Sequence, residues 1–272
     1  MVVTPSLAKG AVREAVRKQG ETSRQLLDLM RKTVLKPPST KRRYAEWFRK
    51  QTAFHERDAL LIACGMSGRR TGAFAAYSLG FLGTDLSWTA HISMLRIECS
   101  PGQINDIESE TLPLTISGHA LERLFQRTDS IDWGIIRGYL AGAALFSNAV
   151  AQAWLESGSE QCAVLAERGM FVGQVVENSL RLRTFLPETD LGARWGALYD
   201  DLKRFSDEHE HQISLAALGL REEANSAFSK VLESGSHRWL FRPYSPGDDP
   251  EDEAWRSACL RNPKNYESHH AL

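Results

Sequence analysis

Two tight turns between residues 161 and 186 limit the possible folds of this chain more than any other feature. Arg168-Gly169 and Asn178-Ser179 separate three short segments of strand-like composition, which lie at 161–167, 170–177 and 180–186. Segments joined by such short turns pair as antiparallel neighbours. The chain therefore predicts an antiparallel β-meander in this region.

Alternation along the last of these strands divides its side chains between two faces. One face is predicted to carry Leu180, Leu182, Thr184 and Leu186. The other is predicted to carry Arg181, Arg183 and Phe185. Two cations on one strand face repel each other unless an anion, a carboxylate or solvent neutralises them, so Arg181 and Arg183 are candidates for binding an anionic substrate.

Two helices are predicted immediately before the meander. Ser117 can cap the first, because its hydroxyl can accept a hydrogen bond from a free backbone amide. The apolar stripe of that helix consists of Ala120, Leu121, Leu124 and Phe125. Asp129 or Ser130 can cap the second helix, at about 131–156, and Gly158 is a natural end for it.

Three basic side chains recur at a spacing of four residues on the first of these helices. His119, Arg123 and Arg127 therefore project from one face, away from the apolar stripe. Imidazole titrates near neutral pH, and two guanidinium groups can hold a phosphate with paired hydrogen bonds. This row predicts a surface that binds a phosphate and moves a proton beside it.

The first 57 residues are strongly basic. They carry fourteen Lys and Arg against five Asp and Glu, although the whole chain has a net charge of −1. Helices are predicted at about 6–35 and 40–54, and in the second of them Arg42 and Arg43 lie among Tyr44, Trp47 and Phe48. Such a helix either binds nucleic acid or buries its aromatic face while its cations meet solvent.

The rest of the chain completes an α+β prediction: an antiparallel sheet of at least four strands, with the meander packed on two central helices and further helices at both ends. Strands are expected at 88–99 and 112–116, a connector at 65–72, a polar connection at 100–110, and helices at about 192–207, 209–217 and 221–233. The corresponding regions are a basic helical region at 1–57, an α+β core at 58–187, a helical region at 188–242 and an acidic, flexible tail at 243–272.

Several classes of function are disfavoured by what the sequence lacks. Its four cysteines are scattered, so they predict reduced thiols in a cytoplasmic protein and no metal site. No leader and no span of about 20 apolar residues is evident, which predicts no membrane partner. No convincing nucleotide or dinucleotide loop occurs, and no cofactor is expected.

The order of elements from residue 115 to 187 resembles a known group of bacterial proteins. His119-Ala120, Arg123 and Arg127 match the His-Ala-x-x-Arg-Met-x-x-Arg motif of uncharacterised domains related to the barnase–EndoU–colicin–RelE ribonuclease superfamily, with Leu124 in place of methionine. Thr184 matches a small hydroxyl residue that this group often carries in its last strands. The minimal members lack counterparts of the flanking helical regions.

The resemblance implies a metal-independent ribonuclease of the bacterial toxin or phage-defence type. His119 would then act as base or acid, Arg123, Arg127 and Arg183 would hold the phosphate, and Thr184 would donate a hydrogen bond. Two other interpretations stay open: a non-catalytic nucleic-acid-binding protein that also uses Arg42 and Arg43, and a helical scaffold that meets a protein partner or inhibitor. In the scaffold, His119 would be buried and the arginines would pair with carboxylates or carbonyls.

Overall fold

A computed structural model describes residues 2–18, 37–55, 59–67, 71–84 and 87–220, and within them the predicted α+β class is confirmed. The predicted helix at 221–233, the acidic tail and Cys259 lie outside the described residues. The helices are α1 (residues 5–18), α2 (Lys41–His55), α3 (Gly118–Arg127), α4 (Trp133–Glu156), α5 (Ala193–Glu208) and α6 (Glu210–Ala217), with a short 3-10 helix at Glu188–Asp190.

Seven strands of the described part of the chain form one sheet. They are β1 (Leu61–Ser67), β2 (Thr71–Thr84), β3 (Ser87–Ser100), β4 (Gln103–Ser117), β5 (Gln161–Ala166), β6 (Gly169–Val176) and β7 (Ser179–Pro187). Their order across the sheet is β1-β2-β3-β4-β7-β6-β5. Only the β4–β7 pair is parallel, and α3 and α4 lie in the long connection that a parallel pair requires.

The polar connection predicted at 100–110 is wrong. Its turn is present at Pro101-Gly102, where Gly102 has a φ of 86°, but β4 begins directly afterwards at Gln103. The residues from Gln103 to Glu110 are mostly exposed, because β7 pairs only with Leu114–Ile116 and leaves this half of β4 at the edge of the sheet. Backbone pairing with β3 stabilises a polar strand that hydropathy alone does not reveal.

The connector predicted at 65–72 is wrong in the same way. β1 continues to Ser67 and β2 starts at Thr71, and the two strands pair from Leu61–Tyr77 to Ser67–Thr71. The glycines of β2 fit close neighbours in adjacent elements. A Cβ on Gly72 would lie 2.6 Å from the Phe48 ring of α2. Glycine here permits close packing and does not interrupt the strand.

Side chains on the two faces of the sheet belong to two hydrophobic clusters. The larger cluster joins α1, α3, α4, α5 and α6 to residues such as Ile92, Leu114 and Leu182. The smaller one packs Tyr44 and Phe48 of α2 against β2 and β3. The aromatic residues of α2 are thus largely its buried face, and the Tyr44 hydroxyl donates to the Cys99 carbonyl at 2.7 Å.

A buried polar network holds the end of α6 against α4 and β2. Asn148 Nδ2 donates to the Tyr77 hydroxyl at 3.0 Å, and that hydroxyl donates to the Ala217 carbonyl at 2.8 Å. Asn148 also donates to the Ala216 carbonyl. These bonds satisfy carbonyls at the end of α6 that have no partner within the helix.

The described cysteines are free thiols. Cys99 and Cys162 are buried and Cys64 is exposed, and burial raises the pKa of the Cys162 thiol to about 12. In the described ranges no helix is both long enough and apolar enough to cross a membrane.

Candidate functional site

Helix α3 begins at the end of β4 and presents the predicted basic row. Ser117 is its N-cap, and its Oγ accepts a hydrogen bond from the Ala120 amide at 3.1 Å. The predicted apolar stripe is buried, at 2 % exposure or less for each of its four residues, whereas His119 is exposed. The row therefore faces solvent, as helical spacing requires when the opposite face packs in the core.

His119 and Arg123 form a hydrogen-bonded pair on this surface. Arg123 Nε donates to His119 Nε2 at 3.4 Å, and Arg123 Nη1 donates to Gln126 Oε1 at 3.1 Å. Guanidinium nitrogens can only donate, so Nε2 is the acceptor in this hydrogen bond. An unprotonated imidazole nitrogen at the surface is the form that a general base needs.

Arg127 has a different environment from Arg123. Its Nη1 donates to the Phe185 carbonyl on β7. Burial lowers the pKa of the Arg127 guanidinium, and the nearby Arg123 lowers it further while Asp190 opposes the shift. Arg127 thus joins α3 to β7.

Strand β7 needs such partners because β4 pairs with only part of it. The parallel pairing covers Leu114–Ile116 against Leu180–Leu182 and then stops, where α3 takes the place of β4 beside β7. Ser117 Oγ donates to the Arg183 carbonyl at 3.4 Å. Ser117 and Arg127 therefore donate hydrogen bonds to carbonyls in the second half of β7, whereas β4 pairs with the first half.

A β-bulge at Arg183 corrects the predicted faces of β7. Val172 pairs with Thr184 and Gly173 pairs with Leu182, so Arg183 is the extra residue on β7. An extra residue shifts the alternation by one position. Phe185 is therefore fully buried rather than beside the arginines, and Thr184 is only partly buried rather than in the core with Leu182.

Arg181 and Arg183 are both exposed, and the Arg183 backbone meets the N-cap of α3. Bulges often redirect side chains beside functional sites. Sequence reasoning missed the bulge, although Gly173 in the middle of an apolar strand was a usable signal. His119 and Arg123 of α3, and Arg183 and Thr184 of the part of β7 beside the N-cap of α3, are together called the α3–β7 surface below.

Arg127→Met is predicted to destabilise the fold by about 1–2 kcal/mol, because the Phe185 carbonyl would lose a hydrogen bond from a charged donor. Urea unfolding followed by circular dichroism measures this change. Arg204→Met is the matched control, since Arg204 forms an exposed ion pair with Asp201 on α5 that contributes little. Equal stability of the two variants would contradict the structural role of Arg127.

The remaining candidates are Arg42 and Arg43, which are exposed on α2. This helix packs on β2 and β3 through the smaller hydrophobic cluster. The two arginines are available to solvent but belong to a different helix from the His119 row. Among the residues that the structure describes, no three His, Cys, Asp or Glu side chains gather as a metal site would require.

Comparisons with known proteins leave the site to be interpreted from its own geometry. The chain matches no family model, no curated protein and no solved structure. The resemblance in the 115–187 segment therefore rests on the residues quoted for it.

Proposed function

We propose that this protein is a metal-independent ribonuclease of the bacterial toxin or phage-defence type, acting in the cytoplasm. In this proposal α3, α4 and the β5–β7 strands form the ribonuclease-like unit at 115–187. The observation that carries it is the hydrogen-bonded pair of the exposed His119 and the partly exposed Arg123 on α3, beside the bulge at the exposed Arg183. RNA cleavage by attack of the 2′-hydroxyl on the adjacent phosphate needs a proton acceptor and cations on one surface.

The proposed reaction uses the 2′-hydroxyl of RNA as the nucleophile. His119 Nε2 accepts the hydroxyl proton while the 2′-oxygen bonds to the adjacent phosphorus, and the bond from phosphorus to the 5′-oxygen breaks. The departing 5′-oxygen takes a proton from solvent, and His119 later releases its proton to solvent. The products are a 2′,3′-cyclic phosphate and a free 5′-hydroxyl, so atoms and charge balance without a metal.

The arginines have separate tasks in this scheme. Arg123 covers His119 Nε2 in the free protein. A bound phosphate would attract the Arg123 guanidinium and so uncover Nε2 for the 2′-hydroxyl. Arg183 and Thr184 would donate to the phosphate, whereas Arg127 would keep β7 in position through the Phe185 carbonyl.

The test is incubation of the purified full chain with a labelled single-stranded RNA in buffer that contains a chelator. We expect cleavage that leaves 2′,3′-cyclic phosphate ends, detected by their resistance to enzymatic 3′-end labelling until acid opens the ring and a phosphatase removes the resulting monophosphate. Products with 5′-phosphate ends, or cleavage only after a divalent metal is added, would contradict the proposal.

A second candidate is nucleic-acid binding without cleavage. The exposed basic side chains of α2 favour this candidate, since the helix carries five Lys and Arg residues and one Glu. Binding would then weaken steeply with salt as counterions are released. Charge reversal at Arg42 and Arg43 would reduce the affinity, whereas salt-insensitive binding would exclude this alternative.

A further inference from the structure

Six residues align in one row across the sheet, perpendicular to the strands. The register pairs each with the next in the order Gly80, His91, Thr115, Arg181, Gln174 and Gln161. Neighbouring strands lie about 4.8 Å apart, so the row from β3 to β5 is about 19 Å long. Its five side chains are polar, and they are called the polar row here.

On β3, β4 and β7 the polar row projects from the sheet face opposite the larger cluster, whereas on β6 and β5 the next positions of the same face, Val172 and Ala163, also belong to that cluster. Its members alternate along their strands with residues of that cluster, which include Ile92, Ile116 and Leu182. Arg181 and Gln161 are exposed, and the other three side chains are partly exposed. The row therefore lies on the face that α2 covers only farther along β2 and β3.

His91 is the most constrained member of the row. Its ring lies so close to Gly80 that a Cβ on this glycine would collide with Nε2. Nδ1 is buried and has no hydrogen-bond partner among the described residues. Burial lowers the pKa of this imidazole, which favours its neutral form. The ring thus lies over Gly80 of β2, in an environment that favours its uncharged form.

The charge of this face suits an anionic ligand. Among the described positions next to the row, Thr89, Ser93, Ser117, Ser179 and Arg183 are polar or basic, Leu82 and Val176 are exposed and apolar, and none of these is a carboxylate. The basic helix α2 lies on the same face. Ser117 joins this face to the α3–β7 surface, because it follows Thr115 by two residues and caps α3.

The chemistry of the row indicates more than phosphate. Phosphate oxygens only accept hydrogen bonds, so a surface for phosphate alone needs donors. The amides of Gln174 and Gln161 and the hydroxyl of Thr115 also offer acceptors. Base edges and ribose hydroxyls use both, and base edges are accessible in an unpaired strand.

We propose that the polar row binds single-stranded RNA that runs across the strands and continues to the α3–β7 surface. Arg181 holds a phosphate, and Thr115, Gln174 and Gln161 contact bases or ribose. The proposal rests on the RNA binding proposed above. It adds that the protein prefers single-stranded RNA to duplex RNA, and it gives the path of the RNA across the sheet.

The test compares Arg181→Gln with Arg204→Gln, a matched loss of one exposed arginine on α5. Fluorescence anisotropy measures the affinity of each full-length protein for a labelled single-stranded RNA and for its duplex at several salt concentrations. A chemically blocked 2′-O-methyl RNA prevents cleavage during the measurement. Thr115→Val is the second variant, because it retains the shape of the side chain.

Arg181→Gln is expected to weaken binding of the single strand by about five- to tenfold and to reduce the salt slope by about 0.7. Arg204→Gln should leave both unchanged, and Arg181→Gln should change duplex binding less than twofold. Equal effects of the two arginine variants, or equal losses for both forms of RNA, would overturn the polar row as the path.

Two results separate this inference from the function on which it rests. If the wild-type protein binds no RNA, the proposed function fails and the inference fails with it. If Arg123→Gln weakens RNA binding but Arg181→Gln and Thr115→Val do not, only the polar row is overturned. If Arg181→Gln weakened the binding of a polyglutamate peptide but not the binding of RNA, the row would instead be assigned to an acidic protein segment.

Discussion

His119→Ala is expected to slow RNA cleavage by about 100- to 10,000-fold, the usual contribution of a general base. The reason is specific to the geometry: Nε2 is the atom that accepts from Arg123 and so the one placed to receive the 2′-hydroxyl proton. The measurement is the single-turnover rate with the chelated buffer and labelled RNA described above. RNA affinity should change much less than the rate, because Arg123 and Arg183 remain.

Two further variants make the result specific to that nitrogen. His211→Ala removes an exposed histidine on α6 and should leave the rate unchanged. His119→Gln keeps a side chain that can hydrogen-bond Arg123 but cannot act as a base, and it should be as slow as His119→Ala. A His119→Gln rate close to that of the wild type would assign His119 to positioning and remove it from catalysis.

Gly173→Ala is expected to lower the free energy of unfolding by about 2–3 kcal/mol, as overpacking of a well-packed site does. A Cβ on Gly173 would collide with the Arg181 carbonyl, and it would lie 2.8 Å from Leu182 Cα. Both obstacles are backbone atoms, so no side-chain rotation can relieve the contact. β6 and β7 would have to separate at the bulge, which urea unfolding measures as a lower midpoint.

Gly10→Ala is the matched control for this substitution. Gly10 lies within α1, and a Cβ there meets nothing within 4 Å. Alanine should raise the free energy of unfolding by about 0.5–1 kcal/mol, since glycine is a poor helix former. Because Gly173 supports the bulge, its variant should also weaken RNA binding through Arg183. Unchanged stability of Gly173→Ala would show that the bulge accommodates a side chain.

Local pattern was enough to predict α3, α4 and the strands from β5 to β7. Each has a strong signal within a few residues, such as the stripe that ends at Phe125 or the predicted turn at Arg168-Gly169, which the structure places one residue earlier at Glu167-Arg168. β2 and the first half of β4 lack such signals. Their stability comes from pairing with β3, and no local period encodes a neighbour that is distant in sequence.

The candidate site divides in the same way. Helical spacing alone places His119, Arg123 and Arg127 on one exposed face, since the period of an α-helix sets their directions. Spacing does not distinguish their roles. Arg123 pairs with the imidazole, whereas Arg127 reaches the Phe185 carbonyl only because β4 stops pairing there and α3 takes its place.

The sequence by itself determined the α+β class, the helix that carries the basic row and the strands that follow it, because these depend on periodicity and turn residues. Only the tertiary structure decided that Arg127 is the arginine that donates to β7, that the Phe185 side chain is buried, and that His91, Thr115 and Arg181 align across the sheet. Those features depend on strand register and on one extra residue at Arg183. Register is set by pairing between distant segments, and a shift of one residue exchanges the two faces of a strand.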